Sequence, residues 1–453
     1  MKFISSMRNS LILVLLTILS FQTVIAQSTT FSPFSGYGLG DRSTFDHGTF
    51  TGIGNCRITY FDSTTLNYYN PSTYNTLSHG YPIYSLGINS RYTTLSDNGI
   101  KNNSITAIPD HFAMAFTLKK YFGLAFGLRA FQRKGYEINE RISVGTDSIK
   151  NTYLGRGGIH EVFLGFSTDL IHLKSTRLSI GGNLGYVFGT STNERQSLLI
   201  TTNNATGGVD WTETKMNTLH YEFGANFTQK LGKKNTITLA GVYEPAQKLS
   251  GTQNNYLFYG TISDPELYDT LSASTNQSIT LNLASKIDFG GRYQMRFKDA
   301  RKDNSERNSE IALHVNYMSS SWTSDSANVN GNSTFNTTSS MNYGIQYTPE
   351  INFMDNSVKA NFMERMRYRA GYYSIALPYA IDGLRVYDKG VTLGFGIPIV
   401  SFRTLSSVNL SFSAGERSNF TAQGYKEQYI GFNFGISLSP SNFDKWFVKR
   451  KLD

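Results

Sequence analysis

The chain has 453 residues, 14% of them aromatic and only 17% charged, with 41 glycines. That mixture suits many glycine-punctuated strands with aromatic girdles better than a helical enzyme, and a mean hydropathy below zero excludes a polytopic helical membrane protein. The formal charge of +9 is dispersed and partly held by Lys2 and Arg8 at the N-terminus, a pattern that fits a solvated surface and lipid phosphate rather than nucleic acid.

Met1 to Ala26 reads as a secretory signal. Lys2 and Arg8 form its basic region, Leu11 to Leu19 its apolar core, and Val24-Ile25-Ala26 its cleavage positions. The apolar run is short of the ~20 residues that a spanning helix needs, so cleavage is expected before Gln27. Residues 27–80 lack strand alternation and open on the aromatic, glycine-rich run Phe31 to Asp41. With no strand before it and no Lys-Ser/Thr to close it, this run is not a phosphate loop. Leaving Phe34, Tyr37, Phe50 and Tyr60 in water would forfeit roughly 1.5–3 kcal/mol each. The segment is therefore expected to fold inside a larger structure, with Pro33, Tyr37 and Gly38 in its first part and Asn70-Pro71-Ser72 as a turn near its end.

From Pro82 to Ser439 the chain alternates with a period of two. Ile430, Phe432, Phe434, Ile436 and Leu438 take one face; Gly431, Asn433, Gly435, Ser437 and Ser439 take the other. Phe112, Met114, Phe116 and Leu118 alternate in the same way with Ala113, Ala115 and Thr117. A greasy face beside a small polar one, repeated about fourteen times, predicts a transmembrane antiparallel β-barrel over residues 81–440. A soluble propeller would show a repeating blade signature, and none is present. Residues 137–158, 191–218, 244–285 and 320–339 are expected to be long polar loops at one rim, with tight turns at the other. Residues 441–453 form a basic, aromatic tail: Trp446 and Phe447 suit the membrane interface, and Lys449, Arg450 and Lys451 suit phosphate.

The chemistry is sparse. Cys56 is the only cysteine, so neither a disulfide nor a CxxC zinc site exists. The seven histidines make no metal-binding pair at helical spacing, and no nucleophile elbow appears. No enzyme, cofactor or metal is expected. Arg129, Glu222, Arg292, Arg296, Arg367 and Arg369 occupy the polar phase of their strands. A charge facing lipid at the midplane costs about 2–4 kcal/mol, so these six should face the lumen. They could form a structural network or a ligand site.

Several stretches resemble the outer-membrane transport proteins of the FadL/TodX type, which carry long-chain fatty acids and other hydrophobic compounds. The matching pieces are Ser32 to Asp41, Asn70 to Tyr74, Glu364 to Tyr373, Gly394 to Ile399 and Trp446 to Lys451. The resemblance spans the mature chain, although Ser72 stands where the family's Asn-Pro-Ala segment has Ala. It implies a Gram-negative outer membrane, a barrel of about fourteen strands with an N-terminal hatch in its lumen, and passive uptake of a hydrophobic small molecule. The alternative is a structural or accessory barrel, a partner subunit of an envelope assembly or secretion machinery. Expected partners are the lipid bilayer with its lipopolysaccharide and the small molecule, with an unidentified envelope protein under the alternative and no nucleic acid under either.

Overall fold

The computed structural model describes residues 32–42, 47–97, 99–119, 121–200, 205–261, 268–300, 306–321, 337–353, 360–381, 384–399, 406–420 and 425–439. The leader (1–26) and the basic tail (441–453), with Trp446, Phe447, Lys449, Arg450 and Lys451, lie outside the described residues.

A short strand β1 (Asp41–Arg42) precedes β2 (Ile83–Asp97), β3 (Ile100–Lys119), β4 (Phe122–Val144), β5 (Asp147–His172), β6 (Thr176–Ile200), β7 (Ala205–Leu231) and β8 (Asn235–Glu244). The hairpin of β9 (Gln247–Thr261) and β10 (Tyr268–Leu283) comes next. Then follow β11 (Ser285–Ala300), β12 (Glu306–Ser321), β13 (Thr338–Thr348), β14 (Arg367–Ile381), β15 (Leu384–Pro398), β16 (Ser407–Ser418) and β17 (Lys426–Leu438). Strand β8 pairs directly with β11, and β17 closes on β2. Fourteen antiparallel strands thus make a closed barrel, β2–β8 and β11–β17, and closure leaves no sheet edge facing lipid. Among the described residues no helix is long and apolar enough to cross a membrane; the crossing is made by strands.

Alternation decides which side chain faces where. Ile430, Leu393, Val162 and Leu184 stand on the outer surface with about half or more of their area uncovered, while Asn433, Ser413, Glu161 and Asn183 on the opposite phase are buried. The outer ring is the lipid-facing band of an outer-membrane barrel.

Three of the four expected long loops are largely strand; of the fourth, residues 322–336 lie outside the described residues. Residues 137–158 continue the β4–β5 ladder through Glu137↔Leu154 to Val144↔Asp147. Residues 191–200 and 205–218 continue β6 and β7, and most of 244–285 is the β9–β10 hairpin, which pairs with the far half of β7. Beyond the bilayer both faces of a strand meet water. No apolar phase marks it in the sequence, although the backbone ladder carries on.

Candidate functional site

The N-terminal segment packs within the ring of strands. Two turns of 3-10 helix, Pro33–Gly36 and Pro71–Thr76, flank a single helical turn α1 (Gly48–Gly52). Phe50, Ile53, Cys56, Tyr60, Leu66, Tyr68 and Tyr74 are at most 1% exposed. Asn70 organises the second turn: its Oδ1 accepts from Ser72 N at 3.1 Å and Ser72 Oγ at 2.7 Å, and its Nδ2 donates to Ile58 O at 2.9 Å. The Ser72 hydroxyl is used, which an alanine at that position would lack.

Glycines on the inner phase of the wall let the segment lie backbone to backbone against it. A Cβ on Gly371 would meet Gly54 N and Ile53 C, and one on Gly344 would meet Ile53 O. The same holds at Gly123 against Tyr74–Asn75, Gly181 against Pro71 and Gly394 against Gly52. Hydrogen bonds fix the seat. Gly54 N donates to Thr392 Oγ1 at 3.0 Å, Tyr74 OH to Asn183 Oδ1 at 2.8 Å, and Asn75 N to Ser167 Oγ at 2.7 Å.

A chain of charges runs between wall and segment. Arg129 Nε donates to Glu161 at 2.7 Å, its Nη2 to Glu222 at 2.8 Å and its Nη1 to Tyr68 O at 3.1 Å. His220 sits between Glu161 (2.8 Å) and Glu244 (3.1 Å). Glu244 also pairs with Lys286 and with Arg42 of β1, each at 2.6 Å. A second cluster joins Arg417 to Asp41 at 2.7 Å and to Asp388 at 3.2 Å, while Ser32 Oγ donates to Glu427 at 2.6 Å. Charges buried this deeply are tolerated only when paired, and breaking one partner is costly.

The other charged candidates reach the segment as well, with one exception. Arg292 donates to Phe61 O at 3.2 Å, Arg367 pairs with Asp62 at 2.5 Å, and Arg369 donates to Gln346, Asn409 and Tyr60 OH. Arg296 lies near the short-turn rim, bonds Glu310 at 3.0 Å and is 55% exposed. Tyr37 stacks on Tyr379 at 4.9 Å, Pro33 opens the first 3-10 turn, and Gly38 O accepts from Lys134 Nζ at 2.7 Å. Sequence reasoning missed Glu161, His220 and Glu244. The signal was present in part: His220 and Glu222 share one phase of β7.

Above the segment lies a cavity of about 210 Å³. Phe131, Leu249, Leu281, Leu283 and Ile375 line part of it, and Arg129, Glu222, Lys286, Asp288 and Arg417 another part. It reaches a discontinuity in the wall. Strand β3 pairs with β2 from Ile100 to Ala115 but with β4 only from His111↔Arg129 to Lys119↔Phe122. Beyond that point β1 pairs with the freed edge of β4, and Arg133 bridges the seam to Asp110 at 2.5 Å.

The model of one protein family, described as BamG, matches residues 7–453. The chain belongs to the BamG family. Among curated proteins nothing matches this BamG-family barrel. Solved structures share its fold. A TodX deltaS2S3 mutant monoaromatic hydrocarbon channel is 13% identical, with a TM-score of 0.52 over 87% of this chain and 100% of that one. The Ralstonia pickettii toluene transporter TbuX is 12% identical (TM-score 0.48, 91% of this chain and 99% of that one). A Pseudomonas aeruginosa FadL homologue is 11% identical (TM-score 0.49, 89% and 99%). The BamG-family chain thus shares the β-barrel fold of the TodX mutant channel.

Proposed function

We propose that this barrel is a closed, accessory subunit of an envelope assembly. In this reading the N-terminal segment plugs the lumen, and the long strands form a platform outside the cell. The sheet β4–β5–β6–β7–β9–β10 carries the reading. A strand crosses the bilayer in about 9–11 residues, whereas β5, β6 and β7 have 26, 25 and 27. More than half of each strand therefore lies beyond the membrane. On the face of this sheet that continues the lumen side, Ile138, Ile142, Val144, Leu199, Leu257 and Tyr259 are at least 40% exposed. Ile142, Ile149 and Leu199 lie side by side across β4–β6 with Val144 on the same face, while Leu257 and Tyr259 stand apart beyond Asp210 and Gly208. An exposed apolar cluster of that kind in water is a feature of protein–protein contact sites. The lumen supports the same reading. Its cavity of about 210 Å³ is below the ~300–1,000 Å³ usual for ligand pockets, and paired charges stand among a mostly apolar lining.

The test is photo-crosslinking in intact cells from Ile142 and Tyr259, with lipid-facing Leu184 as control. One envelope protein joined at both platform sites and absent at the control is the expected result. No protein adduct at either platform site would refute the reading.

The seam between β3 and β4 favours a second reading, passage of a hydrophobic small molecule. A plug that closes the axis leaves a sideways route into lipid where the ladder stops. Cells lacking the protein should then accumulate a labelled long-chain fatty acid more slowly, and equal uptake would dismiss this reading.

A further inference from the structure

The connection between β13 and β14 lies at the end of the barrel where β3–β4, β5–β6 and β7–β8 are joined by tight turns, the periplasmic end in bacterial barrels. It carries one helical turn, α2 (Phe362–Arg365). The turn is built to hold its shape. Asn361 N donates to Glu364 Oε2 at 2.9 Å, closing a capping box. Glu364 O accepts from Glu350 N at 3.1 Å, and Arg365 Nε donates to Ala360 O at 2.9 Å. Yet Phe362 and Met363 are 62% and 61% exposed, so a fixed element holds two large apolar side chains out of the protein.

Tyr368 shows which way they face. Its hydroxyl donates to Met363 O at 2.9 Å. Tyr368 stands on the outer phase of β14, opposite in phase to Arg367 and Arg369, which bond the lumen segment. Its ring neighbours are Tyr347 at 6.4 Å and Phe395 at 6.1 Å. On the same outer phase, further up these strands, come Ile345, Tyr372 and Leu393, all exposed to the lipid side. Tyr347, Tyr368 and Phe395 are therefore the aromatic girdle at the short-turn rim, and α2 is tied to its outside.

We propose that α2 is an interfacial foot that inserts Phe362 and Met363 into the periplasmic leaflet beside the girdle. Its occupant is phospholipid, at the boundary between headgroups and acyl chains. The Tyr368 hydroxyl holds the foot at the girdle, and apolar side chains beside polar groups lie at that depth. The foot would fix the tilt and height of the barrel on one side, at β13–β14.

The test uses the full chain with its three tryptophans removed as Trp211→Phe, Trp322→Phe and Trp446→Phe. Phe362→Trp or Met363→Trp then supplies the only tryptophan emission. Each protein is placed in phosphatidylethanolamine–phosphatidylglycerol vesicles, with or without bromine on the upper acyl chain. Tyr372→Trp, inside the lipid band, reports correct insertion. The foot predicts loss of most of the emission in brominated vesicles and little quenching by iodide. Strong iodide quenching without a bromine effect would place α2 in water and overturn the proposal. Protection from both quenchers would mean that protein covers the helix, and would overturn it equally.

Discussion

Gly371→Ala tests whether wall and N-terminal segment are fitted backbone to backbone. The added methyl would meet Gly54 N and Cα and Ile53 C, and backbone atoms cannot rotate aside as a side chain can. Overpacking of this kind costs about 1–3 kcal/mol. Gly344 pairs directly with Gly371 across β13 and β14, and a methyl there would press on Ile53 O. Both substitutions press on Ile53, so their effects should be less than additive. At ~1.4 kcal/mol per decade, the segment should leave its seat about 5 to 150 times more often. Limited trypsinolysis at Arg57 reads this opening, since cleavage of a transiently open state follows its population. Gly291→Ala is the control, because its nearest neighbour would be Leu239 Cδ2 at 3.8 Å. Faster cleavage in Gly371→Ala and Gly344→Ala, with the control unchanged, is expected. If both variants cut at the wild-type rate and melt at the wild-type temperature, the wall glycines are not a seat.

Arg129→Met should destabilise the barrel by about 3–5 kcal/mol, because Glu161 and Glu222 lose a buried partner; adding Glu222→Gln should recover part of the loss in thermal unfolding followed by gel mobility. Asn70→Ala should cost roughly 1–2 kcal/mol as the cap of the Pro71–Thr76 turn is lost, read as a lower melting temperature. The Asp62–Arg367 pair predicts an acid limb. Burial pushes the Asp62 carboxyl up, but the Arg367 guanidinium and the Thr64 hydroxyl outweigh it and hold the group below its ordinary value. The pair's stabilisation is then complete above the unfolded Asp pKa of ~3.9 and disappears as pH falls through the lower folded value. Arg367→Gln should lose stability at neutral pH and show a flatter decline below that range; an unchanged acid limb would show that the pair contributes nothing.

The barrel was legible because lipid on one side and a crowded lumen on the other impose a strict period of two. The fourteen stretches read from that period all lie on the fourteen wall strands. What the sequence hid was structure where the constraint lapses. The far halves of β5, β6 and β7, and of the β9–β10 hairpin, stand largely in water, so Ser, Thr, Asn and Gly there look like loop; only the base of the hairpin, with Leu249, Leu281 and Leu283, is buried. The inner face of β17 is small in the sequence, with no local sign of what it meets. Gly435 is small because His47 occupies the space, and a contact 388 residues away leaves no local mark. The charged candidates were found because a charge within an apolar strand is conspicuous. Their partners were not, because Glu161 and Glu244 come from other strands and meet His220 only when β5, β7 and β8 are placed side by side.

The claim that the lumen is plugged is tested most directly by conductance. In a planar bilayer the intact protein should show no steady current if residues 47–77 plug the ring as proposed. Removing residues 32–77 should leave a fourteen-stranded barrel with an open lumen and a large, stable conductance. An intact protein that already conducts steadily, with the same current after the deletion, would contradict the account.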